Sequence, residues 1–254
     1  MGTALVTGAT AGLGAEFATQ LAATGHDLVL VARDTARLEA TKKALEVSGI
    51  HVELIPADLT TADGCDAVAA RIADASRPID ILVNNAGIGT YKPFGTATVA
   101  AEEQQLDLNV RAVLRLSHAA VNAMTVRGSG QIVNISSVSA FVPRAGNASY
   151  AASKAWVTLF SEALSLQLAG SGVTVTAIHP GFTHTEFHER AHADMSHVPD
   201  RMWLDAKDVV AEGLADAAAG KPLSTPSRQY KVMVAAARIV PRSVLRQLVS
   251  RGKF

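Results

Sequence analysis

The 254-residue chain has a single cysteine, Cys65, so it cannot form a disulfide within itself. Chains that lack disulfides are typical of reducing compartments, and we expect a cytoplasmic protein. No basic N-terminal stretch followed by an apolar segment opens the sequence, so no signal peptide is expected. No apolar run reaches the ~18 residues that a bilayer-spanning helix needs.

An excess of charge of one sign is also absent, since 23 Lys and Arg residues balance 23 Asp and Glu residues. No global charge therefore points to nucleic acid. The charge is unevenly placed, however. Seven basic and no acidic residues lie between Arg228 and Phe254, which leaves 16 basic against 23 acidic residues in the rest of the chain. The body is acidic and the tail is basic.

Short apolar runs alternate with longer helical patterns along the chain. The runs predict strands at 4–7, 28–31, 52–56, 79–83, 131–135 and 173–178. Helices are predicted at 14–23, 35–47, 61–75, 99–125, 149–168 and 205–219. This alternation predicts an α/β fold, a doubly wound parallel sheet with helices on both faces, in one domain that spans residues 1–254.

A glycine-rich turn joins the first strand to the first helix, with the spacing Gly8-x3-Gly12-x-Gly14. Glycines at such a junction let a phosphate approach the backbone N–H groups at a helix N-terminus. The spacing differs from the G-x-G-x-x-G of the dinucleotide fingerprint. The turn nevertheless predicts a phosphate site.

Tyr150 and Lys154 are four residues apart in a predicted helix, so they share one of its faces. A lysine ammonium beside a phenol favours the phenolate, and we expect it to lower the pKa of Tyr150. A phenol tuned in this way can exchange a proton near neutral pH. Ser137 lies thirteen residues upstream, at the end of the fifth predicted strand.

These features together resemble the short-chain dehydrogenase/reductase family. The matching residues are Thr7, Gly8, Gly12, Gly14, Asp58, Asn84, Asn85, Ala86, Gly87, Asn109, Ser137, Tyr150, Lys154, Pro180 and Gly181, in the family's order over about residues 1–190. The resemblance implies a Rossmann-type fold with about seven parallel strands. It also implies an NAD(P)-dependent oxidoreductase that converts a carbonyl to an alcohol, or the reverse, by hydride transfer.

The resemblance assigns a role to each motif. The catalytic residues would be Asn109, Ser137, Tyr150 and Lys154, with Tyr150 as acid or base, Ser137 holding the substrate oxygen and Asn109 holding a water. The cofactor residues would be Gly8, Thr10, Ala11, Gly12, Leu13, Gly14, Arg33, Asp58, Leu59, Asn85, Ala86, Gly87, Tyr150, Lys154, Pro180, Gly181, Thr183 and Thr185. Asp58 would bond the adenine amino group.

The choice between the two nicotinamide cofactors depends on the end of the second strand. NAD sites usually offer a carboxylate to the ribose 2′-OH, whereas NADP needs a cation for its 2′-phosphate. By resemblance the NAD-selecting position falls on Ala32, and Arg33 follows it. NADP(H) is therefore favoured and NAD(H) remains an alternative. Arg37 is a candidate second contact.

Two other functions compete with this interpretation. His188-Glu189-x-x-His192 matches the H-E-x-x-H pattern of zinc hydrolases, with the glutamate as general base. The pattern lies in the segment 182–204, which by resemblance covers the substrate, so we expect no metal. A non-catalytic NADP-binding sensor is the second alternative, and the complete Ser-Tyr-Lys set favours an enzyme over it.

The partners follow from the remaining segments. Met195, Met202 and Trp203 in the covering segment favour a hydrophobic carbonyl or alcohol as substrate. A homodimer or homotetramer is expected, although the short proline-bracketed stretch 221–226 puts the tetramer in doubt. The basic C-terminal extension, 228–254, either covers the substrate mouth or a subunit contact, or touches a membrane surface.

Overall fold

The structure, a computed structural model, describes residues 2–142, 146–191, 193–196 and 198–250, with the backbone alone for 248–250. Seven parallel strands form one sheet in the order β3-β2-β1-β4-β5-β6-β7. They are β1 (Thr3–Thr7), β2 (Asp27–Ala32), β3 (Val52–Pro56), β4 (Ile81–Asn84), β5 (Gly130–Ile135), β6 (Val173–Ile178) and β7 (Leu223–Ser224). The predicted Rossmann-type parallel sheet is confirmed.

Ten α-helices are found in the described part of the chain. They are α1 (Gly12–Ala23), α2 (Thr35–Leu45), α3 (Ala62–Ala73), α4 (Val99–Leu106), α5 (Val113–Arg127), α6 (Ala148–Gln167), α7 (Glu186–Arg190), α8 (Ala206–Ala218), α9 (Arg228–Ile239) and α10 (Arg242–Ser250). Asp205 is the N-cap of α8, because its side chain accepts a hydrogen bond from the Lys207 N–H.

Helices cover both faces of the sheet, and each face has its own hydrophobic core. One core joins α1, α2 and α8 to the sheet through residues such as Phe17, Leu38 and Val210. The other joins α3, α5 and α6 to the opposite face through residues such as Val68, Leu116 and Leu164. Burial on both faces explains why the strands are continuously apolar rather than alternating.

The helix predicted at 99–125 is interrupted. Residues Asp107–Ala112 form a π-helical turn between α4 and α5. π-Turns of this kind insert one extra residue into a helix and often lie at functional sites. Asn109 therefore lies on an irregular turn near the middle of the predicted helix.

The strand order proceeds from β1 to β3 in one direction and from β4 to β7 in the other, so it reverses between β1 and β4. Helix α1, after β1, packs on one face of the sheet, and helix α5, after β4, packs on the opposite face. Open α/β sheets bind ligands in the crevice that forms at such a point, beyond the carboxyl ends of the strands. The glycine-rich turn follows β1, and Asn85 follows β4. The fold thus directs both motifs into one crevice.

Candidate active site

The glycine-rich turn is built for close approach of a ligand to the backbone. Gly8 has φ +66° and donates its N–H to the Val31 carbonyl at 2.8 Å. A Cβ at Gly14 would overlap the Gly8 carbonyl oxygen, so α1 packs directly on the turn. Ala11 is the N-cap of α1 and its methyl group accepts no hydrogen bond, which leaves the first N–H groups of the helix available to an anion.

Thr7 connects the turn to the segment after β4. Its hydroxyl accepts hydrogen bonds from the N–H groups of Asn85 and Ala86, at 2.9 and 3.0 Å. The Asn85 amide donates to the Thr7 carbonyl at 2.8 Å. These bonds fix Asn85, Ala86 and Gly87 beside the glycine-rich turn, where all three line the same cavity.

Ser137, Tyr150 and Lys154 lie together at the carboxyl end of β5. Tyr150 is buried and its hydroxyl is hydrogen-bonded to Ser137. Lys154 is one helical turn further along α6, and its Nζ lies 5.8 Å from the centre of the Tyr150 ring. The ammonium donates to the Ile135 carbonyl at 2.8 Å. The spacing predicted from the sequence thus brings the three side chains into one cluster.

The predicted direction of the Tyr150 pKa shift is wrong in this structure. Burial raises the pKa of Tyr150 to about 12, and the hydrogen bond with Ser137 offsets only part of that rise. Burial also lowers the pKa of Lys154 to about 8. The Lys154 ammonium is hydrogen-bonded to the Ile135 carbonyl, and desolvation is the largest influence on the phenol. Tyr150 is a protonated acid at neutral pH.

Asn109 reaches the cluster from the π-helical turn. Its fully buried amide accepts from the Ile88 N–H at 3.0 Å and donates to the Ile88 carbonyl at 2.8 Å and to Ser153 Oγ at 3.2 Å. A Cβ at Gly87 would lie 3.2 Å from Asn109 Oδ1 and 3.4 Å from Lys154 Nζ. The absence of a side chain at Gly87 keeps a narrow space open between these two groups.

One cavity of about 1000 Å³ extends from the glycine-rich turn to this cluster. Its lining contains most of the predicted cofactor residues: Gly8, Thr10, Ala11, Gly12, Leu13, Arg33, Asp58, Leu59, Asn85, Ala86, Gly87, Tyr150, Pro180, Gly181, Thr183 and Thr185. Ser137 also lines it. Gly14, Asn109 and Lys154 lie behind the wall and support residues that form it.

The end of the cavity beyond β2 carries two cations, Arg33 and Arg37, and two carboxylates, Asp34 and Asp58. Arg33 is exposed and lines the cavity with Asp58. Burial opposes ionisation of Asp58, but hydrogen bonds from the Thr60 N–H and hydroxyl and the charge of Arg33 hold its pKa below the usual value. No carboxylate is present at Ala32, so the end of β2 itself is uncharged.

Arg37 lines the cavity and also contacts the covering segment. Its guanidinium donates to the Thr10 carbonyl at 3.0 Å and pairs with Glu186 of α7 at 2.9 Å. A Cβ at Gly12 would lie 3.1 Å from the Thr185 side chain. The covering segment therefore rests on the glycine-rich turn, and Glu186 ties it to α2.

Aromatic rings surround Tyr150 on the covering side. Tyr91 and Phe187 lie 5.7 and 5.8 Å from its ring centre. His188 contacts Tyr91, Phe187 and Trp203 edge-on. Of the three apolar residues predicted for this segment, Met195 and Met202 line the cavity, whereas Trp203 packs against Phe182 and His188. The substrate end is thus largely apolar and aromatic.

Sequence analysis missed three contributors to this site. Tyr91 lies in an irregular loop with φ +45°, and no motif marks it. Met233, on α9, lines the cavity from the basic extension. Tyr230, also on α9, is fully buried, and its hydroxyl accepts from the Phe182 N–H and donates to the Met202 carbonyl. Tyr230, Val234 and Ala237 are four and three residues apart, and this helical spacing of apolar residues was the sequence signal for the buried face of α9.

The zinc pattern falls partly outside the described residues, because His192 is one of those that the structure does not describe. His188 and Glu189 lie on α7. Among the residues that are described, no group of three or more His, Cys, Asp or Glu side chains could hold a metal ion. In the same part of the chain, no helix has both the length and the apolarity to cross a membrane.

Several known proteins are similar to this chain in sequence and in structure. The profile of the short chain dehydrogenase family matches residues 2–196. An uncharacterized oxidoreductase of Myxococcus xanthus is 33% identical over 91% of this chain and 92% of that protein. A short-chain dehydrogenase from Sphingobium yanoikuyae, solved in complex with NADPH, is 34% identical with a TM-score of 0.86, over 96% of this chain and 98% of that one.

A second similar structure is the bulky-bulky ketone specific alcohol dehydrogenase from Comamonas testosteroni. It is 30% identical with a TM-score of 0.82, and the alignment covers 96% of both chains. The chain belongs to the short-chain dehydrogenase family and is an NAD(P)-dependent oxidoreductase.

Proposed function

We propose that this protein reduces a bulky, hydrophobic carbonyl compound to its alcohol with NADPH, with Tyr150 as the acid. The observation that carries the proposal is the Ser137–Tyr150–Lys154 cluster at one end of a cavity whose other end is a glycine-rich turn. This arrangement places a proton donor and a phosphate site in the same cavity. The reverse oxidation would use the same groups.

The chain's residues fit a dinucleotide along the whole cavity. The free N–H groups at the start of α1 would hold the pyrophosphate, and Asn85, Ala86 and Gly87 would flank the riboses. Pro180, Gly181, Thr183 and Thr185 would meet the nicotinamide end. Asp58 and Leu59 would border the adenine.

NADPH is favoured over NADH at the adenosine ribose. Arg33 is exposed at the cavity edge and offers a cation to a 2′-phosphate, whereas Ala32 offers no carboxylate to a 2′-OH. Arg37 already pairs with Glu186 and the Thr10 carbonyl. We therefore assign phosphate selection to Arg33. The Sphingobium relative, which was solved with NADPH, supports this choice.

The cofactor, when bound, supplies a hydride to the carbonyl carbon. Ser137 would donate a hydrogen bond to the carbonyl oxygen and orient it toward Tyr150. The Tyr150 phenol, with a pKa of about 12, transfers its proton to that oxygen as the alcohol forms. The resulting phenolate is stabilised by the Lys154 ammonium.

Proton return to Tyr150 can pass through Lys154. The space beside Gly87 is bordered by Lys154 Nζ and Asn109 Oδ1, and a water there would have two polar partners. Because Asn109 is held by Ile88 and Ser153, its position is fixed. We propose that Asn109 positions the water that links Lys154 to solvent.

The substrate is a hydrophobic carbonyl compound because the rings of Tyr91, Phe187 and His188 border the proton donor. Burial lowers the pKa of His188, so this ring is neutral at physiological pH and adds no charge. The name of the Comamonas enzyme, which is specific for bulky ketones, is in agreement with this class. We also propose a homodimer, since Leu159 and Leu166 are exposed on one face of α6.

The proposed function is tested by following nicotinamide absorbance with purified protein and a panel of ketones. We expect NADPH oxidation with bulky aryl or polycyclic ketones and little with small polar ones. NADPH should be preferred to NADH. Tight NADPH binding without turnover of any carbonyl would instead support the non-catalytic sensor.

A further inference from the structure

Helix α9 has two faces with different tasks. Its inner face packs on the body through Tyr230, Val234 and Ala237, all buried. Met233 lines the active-site cavity, and Tyr230 holds the ends of the covering segment at Phe182 and Met202. The helix is therefore part of the wall around the substrate.

The outer face of α9 is apolar although it faces solvent. Val232 and Ile239, seven residues apart and so on one side of the helix, are 70% and 83% exposed. Ala235 and Ala236 between them are also exposed. An exposed helix face is ordinarily polar, so this stripe lacks the composition of a simply solvated surface.

Cations border this stripe. Arg228 lies at the start of α9, and Arg242 and Arg246 are exposed on the adjoining α10, where Val244 is also partly exposed. Leu245 is fully buried and fixes α10 to the body. No acidic residue occurs from Arg228 to the end of the chain. Beside the stripe, Lys231 of α9 pairs with Glu212 of α8, so the surface combines aliphatic groups with an excess of positive charge.

Self-association is a poor explanation for this surface. A twofold contact would place each basic helix against its own copy, and like charges would face each other. Apolar groups flanked by cations are instead the composition of helices that lie in the interface of anionic membranes. The excess of cations favours the membrane over a second copy of the chain.

We propose that the outer face of α9 and the adjoining α10 dock on an anionic lipid bilayer. Val232 and Ile239 would enter the headgroup boundary, while Arg228, Arg242 and Arg246 would contact lipid phosphates. Because the inner face of the same helix forms the cavity wall, docking would bring the site to the phase in which a hydrophobic carbonyl compound dissolves. The substrate source rests on the proposed function, but the docking itself does not.

The test is co-sedimentation of the full chain with phosphatidylcholine vesicles, with and without phosphatidylserine. We expect binding to the anionic vesicles at low salt and much weaker binding at high salt, since exposed charge is screened. The double variant Val232→Ser/Ile239→Ser should bind at least about tenfold less, because buried apolar area is lost. The double variant Arg228→Gln/Arg242→Gln should weaken binding to anionic vesicles alone.

Matched controls lie elsewhere on the surface. Val47 and Val126 are 87% and 92% exposed, so Val47→Ser/Val126→Ser removes similar groups and should leave vesicle binding unchanged. Tyr150→Phe should also bind vesicles normally, which separates docking from catalysis. The proposal is overturned if the wild-type chain stays in solution with anionic vesicles at low salt. It is equally overturned if Val232→Ser/Ile239→Ser dissociates a wild-type oligomer without affecting vesicle binding.

Discussion

At the scale of single residues, burial sets the protonation states of the proposed catalytic pair. Tyr150 and Lys154 share one face of α6, and burial raises the pKa of the first to about 12 and lowers that of the second to about 8. Below about pH 8, the Tyr150 phenol keeps its proton and the Lys154 amine keeps its positive charge. This combination suits a proton donor in carbonyl reduction.

The pH dependence of reduction follows from these two values. With a ketone that does not titrate, kcat should be constant up to about pH 8 and fall above it, as Lys154 loses the charge that stabilises the Tyr150 phenolate. The measurement is steady-state NADPH oxidation across pH, with circular dichroism to confirm that the fold is intact. A kcat that rises as the pH passes 8 would contradict this assignment.

Cofactor selection is the second property that single residues control. The change Arg33→Ala should raise the KM for NADPH by about ten- to a hundredfold, since it removes a charge-assisted contact of roughly 1.5–3 kcal/mol. The KM for NADH should stay nearly unchanged. Ala32→Asp should also raise the KM for NADPH. It should improve the use of NADH, because the carboxylate can bond a ribose 2′-OH.

The matched control for this change is Lys43→Ala. Lys43 is an exposed cation on α2, the helix that follows Arg33, and it lies outside the cavity lining. Its loss should affect neither cofactor. If Lys43→Ala and Arg33→Ala weakened NADPH binding equally, the preference for NADPH would come from the overall positive charge near α2. A direct contact with Arg33 would then not explain it.

At the scale of elements, α9 is the part of the site that motifs did not reveal. The family profile ends at residue 196, whereas Tyr230 joins the two ends of the covering segment. A Cβ at Gly181 would overlap the Tyr230 ring, so this ring also fills the space behind the predicted nicotinamide wall. The covering segment is thus closed into a loop by a residue from the basic extension.

Removal of the Tyr230 hydroxyl tests that connection. Tyr230→Phe keeps the ring but leaves the Phe182 N–H and the Met202 carbonyl without this partner, which should lower the free energy of unfolding by about 1–3 kcal/mol. The KM for the ketone should rise, while NADPH affinity stays close to wild type. Chemical denaturation and steady-state kinetics measure the two effects.

A nearby substitution provides the comparison for Tyr230→Phe. Gln229 is exposed at the start of the same helix, and Gln229→Ala should change neither stability nor the ketone KM. If Tyr230→Phe lost stability but kept the wild-type ketone KM, the hydroxyl would be structural and the covering segment would be positioned by other contacts.

The π-helical turn shows why some elements could not be predicted in detail. Hydrophobic periodicity detects the long helix 99–125, but an extra residue in one turn changes the pattern very little. The tertiary contacts of Asn109 with Ile88 and Ser153 decide its local form. The covering segment presents the same problem, since its ring contacts join residues from three separate segments.

At the scale of the whole molecule, local pattern was sufficient for the sheet. Six strands follow from continuous apolar runs, and Val52–Pro56 and Val173–Ile178 have the predicted bounds. The seventh, Leu223–Ser224, has two residues, and only the resemblance implied it. Its pairing with β6 depends on the fold around it.

The residues at the cofactor end of the site could likewise be predicted from the sequence, because motifs with fixed spacings mark the residues at each strand end. The protonation states were not, because the degree of burial of Tyr150 depends on Tyr91 and Phe187, which come from distant parts of the chain. Sequence spacing brings Tyr150 and Lys154 together, but only the packed structure gives the dielectric environment of the pair.

The most direct test of the central claim compares wild type with Tyr150→Phe in single-turnover reduction of a bulky ketone. We predict that the variant binds NADPH with nearly unchanged affinity and that its rate of reduction falls by at least about a hundredfold, since proton transfer from a positioned acid contributes that much. A Tyr150→Phe variant that reduces the ketone at the wild-type rate would contradict the proposed mechanism.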